Sequence, residues 1–333
     1  MDKSDRSSFI TKNGKLERRD NNIVFYKYND EGVIDSPAKP LPINAINEIY
    51  ILAKVDIDTY TIAFLANNNI LLHIFSPYQT FRGNFFPSTS NSVNKSGFVL
   101  LQQVRAFDDE KHRLYIAKEI TRGHIINGAN NVKKRQIDFE IDEILKSLND
   151  AKTINEIMLI EAGFKKKYYK HWNKIIKNQR VFKFTSRTKR PPADKINSFI
   201  SYINTRMYNV VLSEIYKTEL DPRIGFLHEP NYKTLSLHLD IAEIFKPIIG
   251  DNLIFEMLNK KEILPKDFKT DSGRFRFTNQ AIQKIELKMI NTLTKQISLG
   301  EQKLTWRQII RKEVNKIKKT VCEYSEYHPF IHQ

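Results

Sequence analysis

Cysteine is almost missing from this sequence. One residue in 333, Cys322, has a thiol, so no internal disulfide can form, which suits a reducing cytoplasm. Long apolar runs are missing too. No stretch reaches the roughly 18 apolar residues that a membrane helix needs. The opening "MDKSDRSSFITKNGK" is polar and mixed in charge, unlike a signal peptide. There is no GxxxxGK[ST], no paired CxxC and no GxSxG, which argues against a P-loop ATPase, a zinc finger and a nucleophile-elbow hydrolase. No repeat with a period of roughly 20 to 50 residues is found.

What is present is positive charge, unevenly spread. The formal net charge is +16. Residues 1–90 hold 10 Lys or Arg and 10 Asp or Glu, whereas residues 91–333 hold 44 and 28. The whole excess lies in the second part. A polyanion is the natural partner of such a surface, because each neutralised phosphate releases counterions. The plainer reading is a generally basic, soluble protein. Hydrophobic residues make up 41% and aromatics 11%, enough for the cores of two domains.

The first 90 residues read as a small β-rich unit. "NIVFYKY" (22–28), "EIYILAK" (48–54) and "ILLHIFS" (70–76) are β-branched and aromatic runs bounded by turn formers. Three prolines keep "DSPAKPLPIN" (35–44) out of a sheet interior. "DIDTYTIAFLANNN" (56–69) predicts one short helix. The polar, turn-rich "PSTSNSVNKSG" (87–97) marks a boundary. Beyond it the period becomes helical. Over 194–218, Ile196, Phe199, Ile200, Ile203, Met207, Val210 and Val211 share a face, and Asp194 stands at the N-cap position. The expected fold is α+β in two domains: a small N-terminal β-rich domain (1–90), then a larger all-α domain (91–333).

Three places carry possible chemistry. On a helix over 154–175, Ile154, Ile157, Met158, Tyr168 and Trp172 form a stripe with Glu161 near its middle. A carboxylate there needs a cation, a metal or a proton, unless the stripe meets solvent at that point. Lys165, at i+4, could simply pair with it. The second place is "GFLHEPNYKTLSLHLDIAEIFKP" (225–247). Asp240 and Glu243 lie about 60° apart on a helical projection, so both could face one spot, and His228 arrives from the preceding loop. Two oxygens and an imidazole suit Mg²⁺ or Mn²⁺. "LSLHLDI" also alternates as a strand would, which would send the two acids to opposite faces. A hydrogen-bonded structural network is the competing reading, and His238 reads as surface. The third place is 165–190, with 11 Lys or Arg and no acid. Its aromatics, Tyr168, Tyr169, Trp172, Phe182 and Phe184, could stack on bases or pack inward. Together these features sketch a metal-dependent enzyme acting on nucleic acid.

The order "LIEAGFKKKYY", "RPPADKINSFISYINTRMYNVVLSEIYKTELDPRIGFLHEP", "SLHLDIAEIFKPIIGD" resembles the CRISPR spacer-acquisition integrases, the larger, universal nuclease subunit of the adaptation complex. "NNNILLHIFSPYQTFRGNFFP", "RLYIAKEITRGHIINGANNV" and "YHPF" extend the likeness to roughly residues 45–330. The resemblance implies a cytoplasmic metal-dependent DNA endonuclease and integrase, with no membrane contact. Its β-rich domain would dimerise, its helical domain would bind DNA and catalyse, and two homodimers would be bridged by a small partner subunit. Carried over by position, the metal ligands are Glu161, His228 and Glu243, with Asp240 as an auxiliary catalytic acid and Mn²⁺ or Mg²⁺ as the ion. The implied reaction is transesterification: the 3′-hydroxyl of a short double-stranded DNA, the protospacer, attacks a phosphodiester of the CRISPR repeat. Two departures remove no ligand. Ala162 follows Glu161 where Gly is common, and Lys246 stands where Arg is usual, a point charge in place of a fork. Rival readings are a branched-DNA resolving nuclease and a non-catalytic DNA scaffold.

Overall fold

In a computed structural model of the chain, residues 7–35, 37–76, 81–87, 97–178, 180–189, 191–231, 235–271 and 274–332 are described. Most of the 87–97 boundary segment lies outside them. The chain divides into two compact units, Met1–Ser92 with Ile282–Arg307, and Val93–Ala281 with Gln308–Gln333. The first unit therefore takes back a late segment that a single boundary near residue 90 assigns to the second.

The first unit holds two four-stranded sheets. One has the order β1 (Ser7–Ile10), β5 (Glu48–Ile51), β7 (Leu71–Phe75), β8 (Phe81–Phe85). In it β1, β5 and β7 run parallel and β8 antiparallel. The other has the order β4 (Lys39–Leu41), β3 (Asn22–Lys27), β2 (Gly14–Arg19), β6 (Val55–Ile57). Pro40 sits within β4 opposite Val24. The proline segment thus joins a sheet after all, at its edge, where a missing N–H costs no ladder bond. Helix α1 (Thr59–Asn67) starts at Asp58, whose carboxylate accepts the Thr61 amide at 2.6 Å. Leu16, Ile23, Ile49, Leu65 and Ile70 are fully buried between these elements.

The second unit is built on α2 (Gly97–Asp108), α3 (Glu110–Lys133), α4 (Asp142–Asp150), α5 (Ile154–Lys170), α6 (Trp172–Ile175), α7 (Lys195–Ile215), α8 (Leu237–Phe245) and α9 (Asn252–Asn259). A wide π-type turn, Lys246–Asp251, joins α8 to α9. The unit is not wholly helical, because β9 (Phe268–Asp271) and β10 (Arg274–Phe277) form a hairpin. Asp194 caps α7 by accepting the Asn197 amide at 2.7 Å, and the apolar face read from sequence is buried. Helix α3 packs against α5 where Gly128 removes a side chain: a Cβ there would lie 2.6 Å from the Phe164 ring. That close approach brings the inner faces of two helices within reach of a common point.

After β10 comes α10 (Asn279–Thr294), most of it in the first unit, then the hairpin β11 (Gln296–Leu299) and β12 (Gln302–Thr305), and α11 (Trp306–Glu323). Arg307, at the start of α11, is buried and binds the buried Glu48 of β5 with both guanidinium branches, at 2.6 and 2.5 Å. The chain ends by returning along α3. Asn127 donates to the Phe330 carbonyl and accepts from the His332 amide, at 2.8 Å each. Among the described residues no helix is long and apolar enough to cross a membrane.

Candidate metal centre

Three helices of the second unit meet at one polar point. Glu161 comes from α5, Glu243 from α8 and His124 from α3. One ligand atom from each lies within 4.8 Å of the others, and all three residues are buried. His124 Nδ1 stands 3.3 Å from Glu161 Oε1 and 3.8 Å from Glu243 Oε2. None of these three atoms has an aligned hydrogen-bond partner among the described residues. Two carboxylate oxygens facing an imidazole nitrogen form a hard, oxygen-rich donor set that fits Mg²⁺ or Mn²⁺.

Two lysines balance the acids. Lys165 Nζ lies 3.0 Å from Glu161 Oε1 and 3.1 Å from Glu243 Oε2. Lys246 donates to Glu243 Oε1 at 2.6 Å and to the Tyr208 hydroxyl at 2.7 Å. Burial pushes the Glu161 carboxyl up, but Lys165 and His124 outweigh it and hold it at about 2, with Glu243 opposing them. Burial likewise disfavours the charged Glu243, yet Lys165 and Lys246 keep it well below the usual carboxylate range. Both acids are therefore anions at neutral pH.

The sequence stripe through Glu161 is shifted in the folded chain. Ile157, Glu161, Phe164 and Tyr168 are buried on α5, while Met158 is exposed. So Glu161 does not mark where the stripe meets solvent, and its pairing with Lys165 exists alongside the convergence with Glu243.

Residues 237–245 are helical, so the alternating reading of "LSLHLDI" fails. Asp240 and Glu243 both point inward but divide their partners. Glu243 joins Glu161. Asp240, fully buried, accepts the backbone amides of Phe226 (2.6 Å), Leu227 (3.0 Å) and His228 (3.0 Å), and the His228 ring through Nδ1 at 2.7 Å. The "GFLH" loop is thus a nest of N–H groups around one carboxylate. Gly225 makes room for it, since a Cβ would sit 2.7 Å from Asp240 Oδ2. The His228 ring is thus held by Asp240 through Nδ1, and the imidazole within 4.8 Å of the Glu161 and Glu243 oxygens is that of His124, where the sequence pointed to His228. Burial lowers the His228 pKa, but Asp240, Glu243 and Glu161 together raise it above its ordinary value.

His124 was not singled out by sequence reasoning. The signal that could have found it is a polar stripe, His124, Asn127 and Asn131, at helical spacing on the buried face of α3. His238, read as a surface residue, is half-buried with its ring edge against Tyr208, and burial together with Lys246 pushes its imidazole down to about 3.

The basic run borders this point. Tyr168, Trp172, Phe182 and Phe184 are buried, and Trp172 packs on Phe255 with ring centroids 4.6 Å apart. These rings are core, which removes them as base-stacking platforms. Lys166, Lys167, Lys170, Lys174 and Lys177 are exposed. Lacking acids in their own segment, they form a surface of like charge.

Two buried anions and imidazoles beside exposed lysines define a class: a metal-dependent enzyme working on phosphodiesters. Known proteins agree. The family model for CRISPR associated protein Cas1 matches residues 8–289. A CRISPR-associated endonuclease Cas1 of Clostridium perfringens is 35% identical over 97% of this chain and 98% of its own length. That of Fusobacterium nucleatum is 34% identical over 98% and 96%. The solved Cas1 protein of Thermotoga maritima superposes with a TM-score of 0.86 at 28% identity, covering 98% of this chain and all of the other. A casposase solved with its integration product shares the fold at a TM-score of 0.85 and 21% identity, over 97% and 92%. The chain belongs to the CRISPR-associated Cas1 family, whose relatives named above are endonucleases.

Proposed function

We propose that the reaction is transesterification, in which the 3′-hydroxyl of a short DNA duplex replaces one oxygen at a phosphorus of the CRISPR repeat. One phosphodiester forms as another breaks. The ligands are Glu161, Glu243 and the free ring nitrogen of His228, with His124 as a fourth group facing the same point. Asp240 holds His228 in the required tautomer rather than meeting the ion itself. Bound there, Mn²⁺ or Mg²⁺ would supply charge for the phosphoryl oxygens. The chain's own work is positioning. The exposed lysines after Glu161 seat the DNA backbone, and the three-helix junction fixes the acids before substrate arrives. The family likeness also carries a homodimer through the β-rich unit and a small bridging subunit.

The observation that carries this reading is the convergence of Glu161 and Glu243, 82 positions apart in sequence, with one oxygen of each turned toward the same imidazole and the same ammonium. The test supplies a hydroxyl-ended duplex and a supercoiled repeat array. Joined product is expected with Mn²⁺, and Glu161→Ala or His228→Ala should lower it by about a hundredfold or more. Cleavage of branched DNA without joining would favour the resolving nuclease. Full turnover by both variants would favour the scaffold.

A further inference from the structure

The two lysines at the metal centre are not equivalent. Lys246 is 10% exposed and is held by both Glu243 and Tyr208. Lys165 is 28% exposed, against 9% and 4% for the acids it touches. It is the more exposed of the two lysines. Its ammonium approaches Glu161 Oε1 and Glu243 Oε2, the same two oxygens that converge with His124 Nδ1. The remaining Glu243 oxygen is already taken by Lys246. A divalent ion binds carboxylate oxygen at about 2.1 Å. Placed against both of these oxygens, it would stand too close to an ammonium 3.0 and 3.1 Å from them.

We propose that Lys165 is an exchangeable occupant of the metal centre, an internal cation that neutralises Glu161 and Glu243 and competes directly with the divalent ion for the same two oxygens. The inference rests on the reading of those acids as ligands. Lys165 keeps two buried anions from repelling one another and the ion evicts it. Lys246 stays in place and sets the charge that the ion meets. The lysine therefore weakens metal binding while stabilising the fold. Truncating one partner of a buried pair leaves an uncompensated charge, so the two effects separate in one variant.

The test is Mn²⁺ binding to the full chain without DNA, followed by electron paramagnetic resonance of the free ion, with thermal unfolding in parallel. Lys165→Met should bind Mn²⁺ about tenfold more tightly than wild type. It should melt at lower temperature without ion and gain more in Tm from Mn²⁺. Lys165→Gln, which keeps a donor but no charge, should move in the same direction. Mn²⁺ affinity unchanged or weakened in both variants would overturn the proposal, as would a Lys165→Met protein that unfolds and is not rescued by Mn²⁺. Glu243→Gln separates the two levels of the argument. Loss of Mn²⁺ there with no gain in Lys165→Met defeats the lysine's role and leaves the centre standing. Wild-type binding in Glu243→Gln defeats the centre itself.

Discussion

Asp251 shows how much one buried side chain can report. It ends the π-type turn and accepts the Tyr168 hydroxyl at 2.9 Å. Burial pushes its carboxyl up to about 7 from an ordinary 3.8, with Glu243 adding to the rise, and the Tyr168 hydrogen bond and Lys246 oppose it. The folded value is the higher one, so the folded chain keeps a proton that the unfolded chain releases. The stability this confers is complete below about pH 4 and is lost as pH rises to about 7. Asp251→Asn retains an acceptor and cannot ionise. Its Tm relative to wild type should climb between pH 4 and 7 and stay level above, and a difference flat across that window would refute the protonated state. Asp240 offers a second test. Asp240→Asn weakens the hold on the His228 ring, and Mn²⁺ affinity should fall by about 10- to 100-fold while Glu161 and Glu243 remain. Titration of the variant with Mn²⁺ checks it. At this scale much of the centre was legible: Glu161 stood out because an acid in an apolar stripe has to be explained. His124 did not, because it lies in a stripe with Asn127 and Asn131, and a polar stripe on a helix reads as a solvent face until the fold buries it.

At the scale of elements, the loop before α8 matters most. Gly225, Asp240 and His228 are one device, and the device is steric as well as electrostatic. Gly225→Ala puts a carbon 2.7 Å from the Asp240 carboxylate and 2.9 Å from the Ser236 backbone, neither of which can yield freely. The cost should be about 1–3 kcal/mol, with a fall in Mn²⁺ affinity as His228 shifts. Unchanged melting and binding would show that the loop is looser than this. Periodicity found α5, α7 and α8 because each buries one marked face. The edge strand β4 escaped it because proline reads as a breaker until its place at a sheet edge is known. Period alone could not divide Asp240 from Glu243 either, since both lie on the buried side and only the loop tells them apart.

Across the whole molecule the charge map of the sequence survives folding. Tyr168, Trp172, Phe182 and Phe184 turn inward, while Lys166, Lys167, Lys170, Lys174 and Lys177 are left outside. DNA affinity should fall steeply with salt, and each phosphate contact removed should flatten the slope of log affinity against log salt by about one unit. Lys166→Glu with Lys170→Glu should therefore weaken binding to duplexes of any sequence alike, by fluorescence anisotropy. A sequence-selective loss would point to base contacts instead.

The buried bond between Glu48 and Arg307 has an implication for synthesis. Glu48 leaves the ribosome more than 250 residues before its counter-charge does. Until Arg307 emerges, Glu48 has the Tyr50 hydroxyl and the His73 ring beside it but lacks the guanidinium that binds both its oxygens. The part of the chain made first is thus among the last to be completed, and a fragment cut near residue 92 would inherit that deficit permanently.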